Sequence, residues 1–187
     1  SNRYGLLSLH TGETMTSPYF EELPVGQFYS PALHNVIFNP DTQWIKYFNF
    51  TATPIPLDIL LMDDFYLWLY GRHKYKVGVL KMEDQTIYNW HKDSTRGVCI
   101  NSLIMTPNTS YTFFREYNDV SHSIVELQYY PGSRFIFNNQ KEHMVVNYNG
   151  IRMMLTIEFE EDKNKLTYID LLKEIKKDFI NEKRSMG

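Results

Sequence analysis

Between residues 75 and 159 the chain breaks into short β-rich runs closed by turn residues, and that rhythm leaves few folds open. Eight runs can be read: 75–82, 86–91, 97–106, 111–117, 123–129, 134–138, 143–147 and 152–159. Glu83-Asp84, Pro107-Asn108, Pro131-Gly132 and Asn149-Gly150 supply turn chemistry between them. Strands this short and evenly spaced predict two packed antiparallel sheets, as in a sandwich or a jelly-roll barrel. An aromatic share of 16% favours the same β-architecture over a plain helical bundle.

The flanks read differently. Pro18, Pro24, Pro31, Pro40, Pro54 and Pro56 make residues 1–56 an irregular extension, with short extended pieces near 36–38 and 44–50. Residues 57–71 carry the first good helix, with Pro56 and Asp58 at its start and Gly71 placed to end it. Thr167 and Asp170 resemble a capping box opening a last helix over 166–184, whose apolar face holds Tyr168, Leu171, Leu172, Ile175 and Phe179. At 187 residues the chain is expected to be one domain: a mainly β double-sheet barrel over 75–160 with helices packed outside.

Composition excludes several classes of function. A net charge of −3 argues against a protein that grips nucleic acid through phosphates. One cysteine, Cys99, removes disulfide frameworks and multi-cysteine zinc sites, and reads as a small buried hydrophobe. No apolar run approaches the roughly 18–20 residues of a membrane span, and no basic-then-apolar leader opens the sequence. The expectation is a soluble cytoplasmic protein.

Of six histidines, only His91 has an acid two residues later, Asp93. In extended backbone residues i and i+2 face the same way, so this pair can converge on one point. An imidazole and a carboxylate are two of the three ligands that hold non-haem Fe(II). His143 opens a later strand, and nine residues on Arg152 opens the last one. A buried arginine is costly unless it meets an anion, and its fork suits a carboxylate. His10, His34, His73 and His122 have no such spacing and read as surface or satisfied residues.

The segment from His91 through Asp93 and Arg96 to Ile104, followed by the stretch from Glu142-His143 to Arg152, resembles Fe(II)/2-oxoglutarate-dependent oxygenases. It is similar to their small microbial and phage members, related to aspartyl/asparaginyl and prolyl hydroxylases. The resemblance covers roughly residues 75–160 and implies a double-stranded β-helix. It implies that His91, Asp93 and His143 bind iron and that Arg152 holds the distal carboxylate of 2-oxoglutarate. It further implies O₂ as co-substrate and hydroxylation of an amino-acid side chain, in a protein, peptide or free amino acid, with release of succinate and CO₂. The setting would be the cytoplasm of a microbe or a phage-infected cell.

The sequence departs from that pattern at Met154, where many relatives carry a small polar residue. A second contact to the co-substrate must then come from elsewhere: Tyr88, Asn101 and Ser102 are candidates, and strand parity does not choose between the last two. Arg96 either orients Asp93 or lines the pocket mouth, or else pairs locally in its turn. Trp90 reads as packing on the outer face of its strand. Two other readings of the chain stay open: a cupin-type metal enzyme that needs no 2-oxoglutarate, and a non-enzymatic jelly-roll binding or assembly protein.

Overall fold

A computed structural model describes residues 16–106, 109–117 and 122–185. Its N-terminal part contains β1 (Phe20–Glu22), α1 (Pro31–Ile37), β2 (Ile45–Lys46), β3 (Thr51–Pro54), α2 (Leu57–Leu61) and α3 (Asp64–Arg72). The eight strands that follow are β4 (Tyr75–Met82), β5 (Thr86–His91), β6 (Val98–Met105), β7 (Ser110–Tyr117), β8 (His122–Leu127), β9 (Arg134–Asn138), β10 (Glu142–Asn147) and β11 (Arg152–Phe159). Their bounds differ from the sequence expectation by no more than a residue or two at each end. The turn at Pro107-Asn108 lies outside the described residues.

These strands form two antiparallel sheets. The larger runs β1-β9-β6-β11-β4-β3-β2 and the smaller β5-β10-β7-β8. Four core strands in each sheet make the jelly-roll barrel: the chain switches sheet at every step from β4 to β11 except between β7 and β8, which pair as neighbours in the smaller sheet. Alternation along β11 shows how the layers separate. Met153, Leu155, Ile157 and Phe159 are buried on the helix side, packed with Leu60, Leu69, Leu171 and Ile175. Such side chains contribute roughly 1.5–3 kcal/mol each, before entropy is counted. Between the sheets lies a second cluster, with Phe114, Leu127, Phe135, Phe137 and Cys99. As expected, Cys99 is a buried hydrophobe, and burial pushes its thiol pKa up to about 11.

The flanks need three corrections. The helix expected over 57–71 is two helices, because the Asp63 carboxylate caps a new start and accepts the Tyr66 N–H at 3.0 Å. Gly71 therefore lies inside α3, which ends at His73. Val36 and Ile37 are helical rather than extended. Ser30 caps α1, accepting the Leu33 N–H at 3.1 Å, and Pro31 occupies the first turn. Finally, the C-terminal helix passes through a π-helical stretch, Ile175–Ile180, between α4 (Tyr168–Glu174) and α5 (Asn181–Ser185). Its expected apolar face is buried, and Thr167 accepts the Asp170 N–H at 3.2 Å.

One buried charge ties the barrel to its flank. Arg134 on β9 is 2% exposed and meets both Asp63 oxygens, at 2.7 and 2.8 Å. The carboxylate that caps α3 thus also neutralises the barrel arginine.

Candidate metal centre

The smaller sheet brings the two histidines together. His143 on β10 is directly opposite His91 at the end of β5, and their rings lie 4.3 Å apart. Between this pair and the next, Val145 opposite Tyr88, the register advances two residues on β10 and three on β5. The extra residue is a bulge, and it re-aims the end of the strand. Without it Tyr88 and His91 would face opposite sides; with it their rings stack at 3.9 Å and 19°. Trp90 points outward, its ring 4.2 Å below the Arg115 guanidinium, as its packing reading requires.

Asp93 follows in the loop, where its N–H donates to the Asn139 carbonyl at 3.0 Å. Its Oδ2 accepts from Asn139 Nδ2 and from Arg96 Nη2, both at 2.7 Å. Gln140 closes the same loop by donating to the Asp93 and Arg96 carbonyls. Arg96 therefore pairs with Asp93 across three residues, a contact that is local to the turn and also holds the carboxylate. With Oδ2 held, Oδ1 is turned toward His91 Nε2 at 3.6 Å and His143 Nε2 at 3.8 Å.

The donor set fits a divalent cation. His91 Nδ1 donates to the Asn89 carbonyl at 2.6 Å and His143 Nδ1 to the Lys141 carbonyl at 2.8 Å. Each Nε2 then keeps its lone pair for a metal. Burial pushes the His143 pKa down to about 4, aided by His91 and Arg96 and opposed by the Lys141 carbonyl and Asp93. The imidazole is accordingly neutral near pH 7, the form that ligates. Ligand atoms held about 2.1 Å from one ion can be no more than about 4.2 Å apart, and the two Asp93 separations satisfy this.

Arg152 lies deeper between the sheets. Thr112, which accepts from its Nη2 at 3.2 Å, is two residues from Phe114, and Phe114 pairs with His143. Arg152 thus reaches the barrel one inward-facing pair beyond the histidines. It lines a cavity of about 320 Å³ together with Thr112, Ser110, Leu103, Glu126 and Tyr129. That cavity leaves the residue partly accessible, yet its guanidinium is enclosed enough for burial to push its pKa down. Among the described residues its guanidinium donates to the Thr112 hydroxyl and sits over the Tyr129 ring, and it makes no ion pair with a carboxylate. The buried Ser110 hydroxyl on the same wall has no partner either. A cation and an unsatisfied hydroxyl facing one cavity fit an anionic ligand.

The remaining candidates separate by face. Asn101 points into the barrel, donating to the Tyr129 hydroxyl at 3.2 Å. Burial raises the Tyr129 pKa, so the phenol stays neutral with a proton to donate toward the cavity. Ser102, the neighbouring residue, faces the helices beside the Tyr66 hydroxyl and is not part of the site. Tyr88 stacks on His91 and so borders the candidate metal centre, and it does not line the Arg152 cavity. Met154 is buried, 2% exposed, and offers the cavity no polar group. His73 is satisfied by two glutamates, as expected. His10 and the side chain of His122 lie outside the described residues.

No protein-family profile matches the sequence, and no curated protein does. Solved structures do. A prolyl-4-hydroxylase from Pseudomonas putida superposes with a TM-score of 0.55 at 11% identity, covering 77% of this chain and 94% of that one. The viral collagen prolyl hydroxylase of Paramecium Bursaria Chlorella virus-1, solved as its 2OG complex, gives 0.53 at 11%, covering 76% and 96%. The chain shares the prolyl-hydroxylase fold. At 11% identity the likeness is one of fold, and the chemistry rests on the side chains themselves.

Within that prolyl-hydroxylase fold, three residues were not singled out from the sequence: Asn139, Gln140 and Tyr129. The first two stand just before His143 in a polar run, Asn138-Asn139-Gln140, and that proximity was a usable signal. Tyr129 has no motif around it, and only the closing of the barrel brings it to Arg152.

Proposed function

We propose that the protein is an Fe(II)- and 2-oxoglutarate-dependent dioxygenase that hydroxylates an amino-acid side chain, releasing succinate and CO₂. One observation carries this reading: the Arg152 guanidinium, without an ion-paired carboxylate among the described residues, one inward-facing pair beyond the His91, Asp93 and His143 cluster. A metal enzyme that needs no 2-oxoglutarate would leave that half-buried cation without an anion.

His91 and His143 through Nε2, and Asp93 through Oδ1, would hold Fe(II). Bound there, the metal supplies the redox chemistry with O₂ and 2-oxoglutarate that oxidises a C–H bond. The chain's own share is positioning. Arg96 and Asn139 lock the Asp93 carboxylate, and the Asn89 and Lys141 carbonyls fix the imidazole tautomers. Arg152 would bind the distal carboxylate of 2-oxoglutarate, with Thr112, Ser110 and the Tyr129 hydroxyl around it. Phe114 and Phe137 pack on His143 and Tyr88 stacks on His91, which would limit the access of water to the metal. The prolyl hydroxylase neighbours support a protein or peptide substrate. Among the described residues no helix is long and apolar enough to cross a membrane.

The test is succinate release from 2-oxoglutarate with Fe(II) and O₂. It should require His91 and Asp93, each replaced by Ala. Wild-type protein that binds neither Fe(II) nor 2-oxoglutarate would sink the proposal.

A further inference from the structure

We propose that Trp90, Arg115 and Glu142 form a clamp across the outer face of the smaller sheet that positions His91 and His143 for the metal. The proposal rests on the metal-centre reading of that pair. The three are positioning residues: they face away from the ligand atoms and act through the strands that carry them.

The ligands sit where the strands most need support. His91 is the last residue of β5 and His143 the second of β10, so both stand at strand ends, where a ladder opens most readily. β5 is also an edge strand, paired among the described residues with β10 alone. The bulge between the His143–His91 and Val145–Tyr88 pairs interrupts that one ladder just behind the ligands. Backbone pairing alone therefore leaves His91 weakly held. Yet two Nε2 atoms that share one ion can be no more than about 4.2 Å apart.

The outer face supplies the tie. Glu142 is directly opposite Arg115 on β7, one register step from the inward-facing pair of His143 and Phe114, so both point outward. Arg115 donates to both Glu142 oxygens, from Nε at 2.9 Å and from Nη2 at 2.8 Å, a fork that fixes the guanidinium plane. Held so, the guanidinium lies 4.2 Å from the centroid of the Trp90 ring. Trp90 immediately precedes His91, and Glu142 immediately precedes His143. Arg115 thus reaches across β10 and ties β5 to β7, two strand spacings or about 10 Å away. Each ligand-bearing strand is gripped one residue from its histidine. The Arg115 and Glu142 side chains are 20% and 22% exposed, so their pair is less screened than one fully on the surface.

The test is calorimetric titration of Mn(II) into the full chain, with urea unfolding of the unliganded protein alongside. Arg115→Met and Trp90→Ala should each weaken Mn(II) binding about tenfold, and the double variant no more than either alone, because a tie cut once is already lost. Trp90→Phe keeps a ring under the guanidinium and should bind within about twofold of wild type. Arg72 is the control: it lies 4.8 Å over the Trp68 ring and pairs with Glu174 and Asp178, the same chemistry away from the metal. Arg72→Met should leave Mn(II) affinity unchanged whatever it does to stability. If Arg115→Met fails to fold, Glu142→Gln keeps the shape, loses the charge, and should weaken Mn(II) binding about threefold. Mn(II) affinity that Arg115→Met and Glu142→Gln both leave unchanged overturns the proposal. So does Trp90→Phe binding as weakly as Trp90→Ala, or an equal loss from Arg72→Met, which would make the clamp ordinary stabilising structure. Wild-type protein that takes up no Mn(II) marks instead the failure of the metal-centre reading, and the clamp falls with it.

Discussion

Replacing Arg152 by Met distinguishes an anion-binding arginine from a structural one. In the unliganded protein the guanidinium keeps one hydrogen bond, to Thr112 at 3.2 Å, worth about 1 kcal/mol. Burial already disfavours its charged form, as its lowered pKa records. Met fills similar volume without that penalty, so unliganded stability should stay within about 1 kcal/mol of wild type or rise. That corresponds to roughly 2–4 °C in Tm for a chain of this size. Binding should behave in the opposite way. Removing one partner of a buried, hydrogen-bonded charge pair costs about 2–5 kcal/mol. At about 1.4 kcal/mol per decade, 2-oxoglutarate affinity should fall roughly 30- to 3,000-fold. Calorimetric titration of 2-oxoglutarate into the Mn(II)-loaded protein gives the affinity, and urea unfolding gives the stability. Unchanged affinity together with a stability loss above about 3 kcal/mol would refute the reasoning, because Arg152 would then be holding the barrel rather than awaiting a ligand.

Other predictions follow the same geometry. Asp93→Ala should abolish Mn(II) binding, whereas Arg96→Ala, which only frees Oδ2, should weaken it about 10- to 100-fold; equal effects from both would contradict the orienting role. Asn101→Ala should raise the 2-oxoglutarate KM, while Ser102→Ala leaves it unchanged, since only Asn101 faces the cavity side; a reversed pattern would mean the strand parity is wrong. Burial opposes charging of His73, but hydrogen bonds to Glu174 and Glu161 outweigh it and raise its pKa. Its contribution is therefore complete below the unfolded value of about 6.5 and fades as pH rises through the raised folded one. His73→Gln should cost about 1 kcal/mol in urea unfolding at pH 6 and much less at pH 9, and a loss independent of pH would contradict the charge assignment.

The barrel was legible because its strands alternate and their turns are marked. Met153, Leu155, Ile157 and Phe159 announce one buried face of β11, and β4, β5, β9 and β11 begin and end where the pattern says. The helix over 57–71 was misread because its apolar run continues across Met62. Asp63 interrupts it, since one carboxylate serves both the α3 cap and Arg134, and that second demand comes from a strand 71 residues away. The metal centre was readable in part. His91 and Asp93 converge by local periodicity, whereas the bulge that stacks Tyr88 on His91 depends on pairing with β10. Periodicity also left Asn101 and Ser102 undecided, and the register with β11 and β9 separates them. Tyr129 acts across the barrel, so no sequence spacing could have joined it to Arg152, and the one sequence signal for Asn139 is its place just before His143.

Diffraction from crystals grown with Mn(II) and 2-oxoglutarate, with the metal located by anomalous scattering, tests the central claim most directly. The ion should lie within about 2.0–2.2 Å of His91 Nε2, Asp93 Oδ1 and His143 Nε2, and the distal carboxylate should sit on the Arg152 guanidinium. An ion bound elsewhere, or a 2-oxoglutarate carboxylate that leaves Arg152 without an anion, would contradict it.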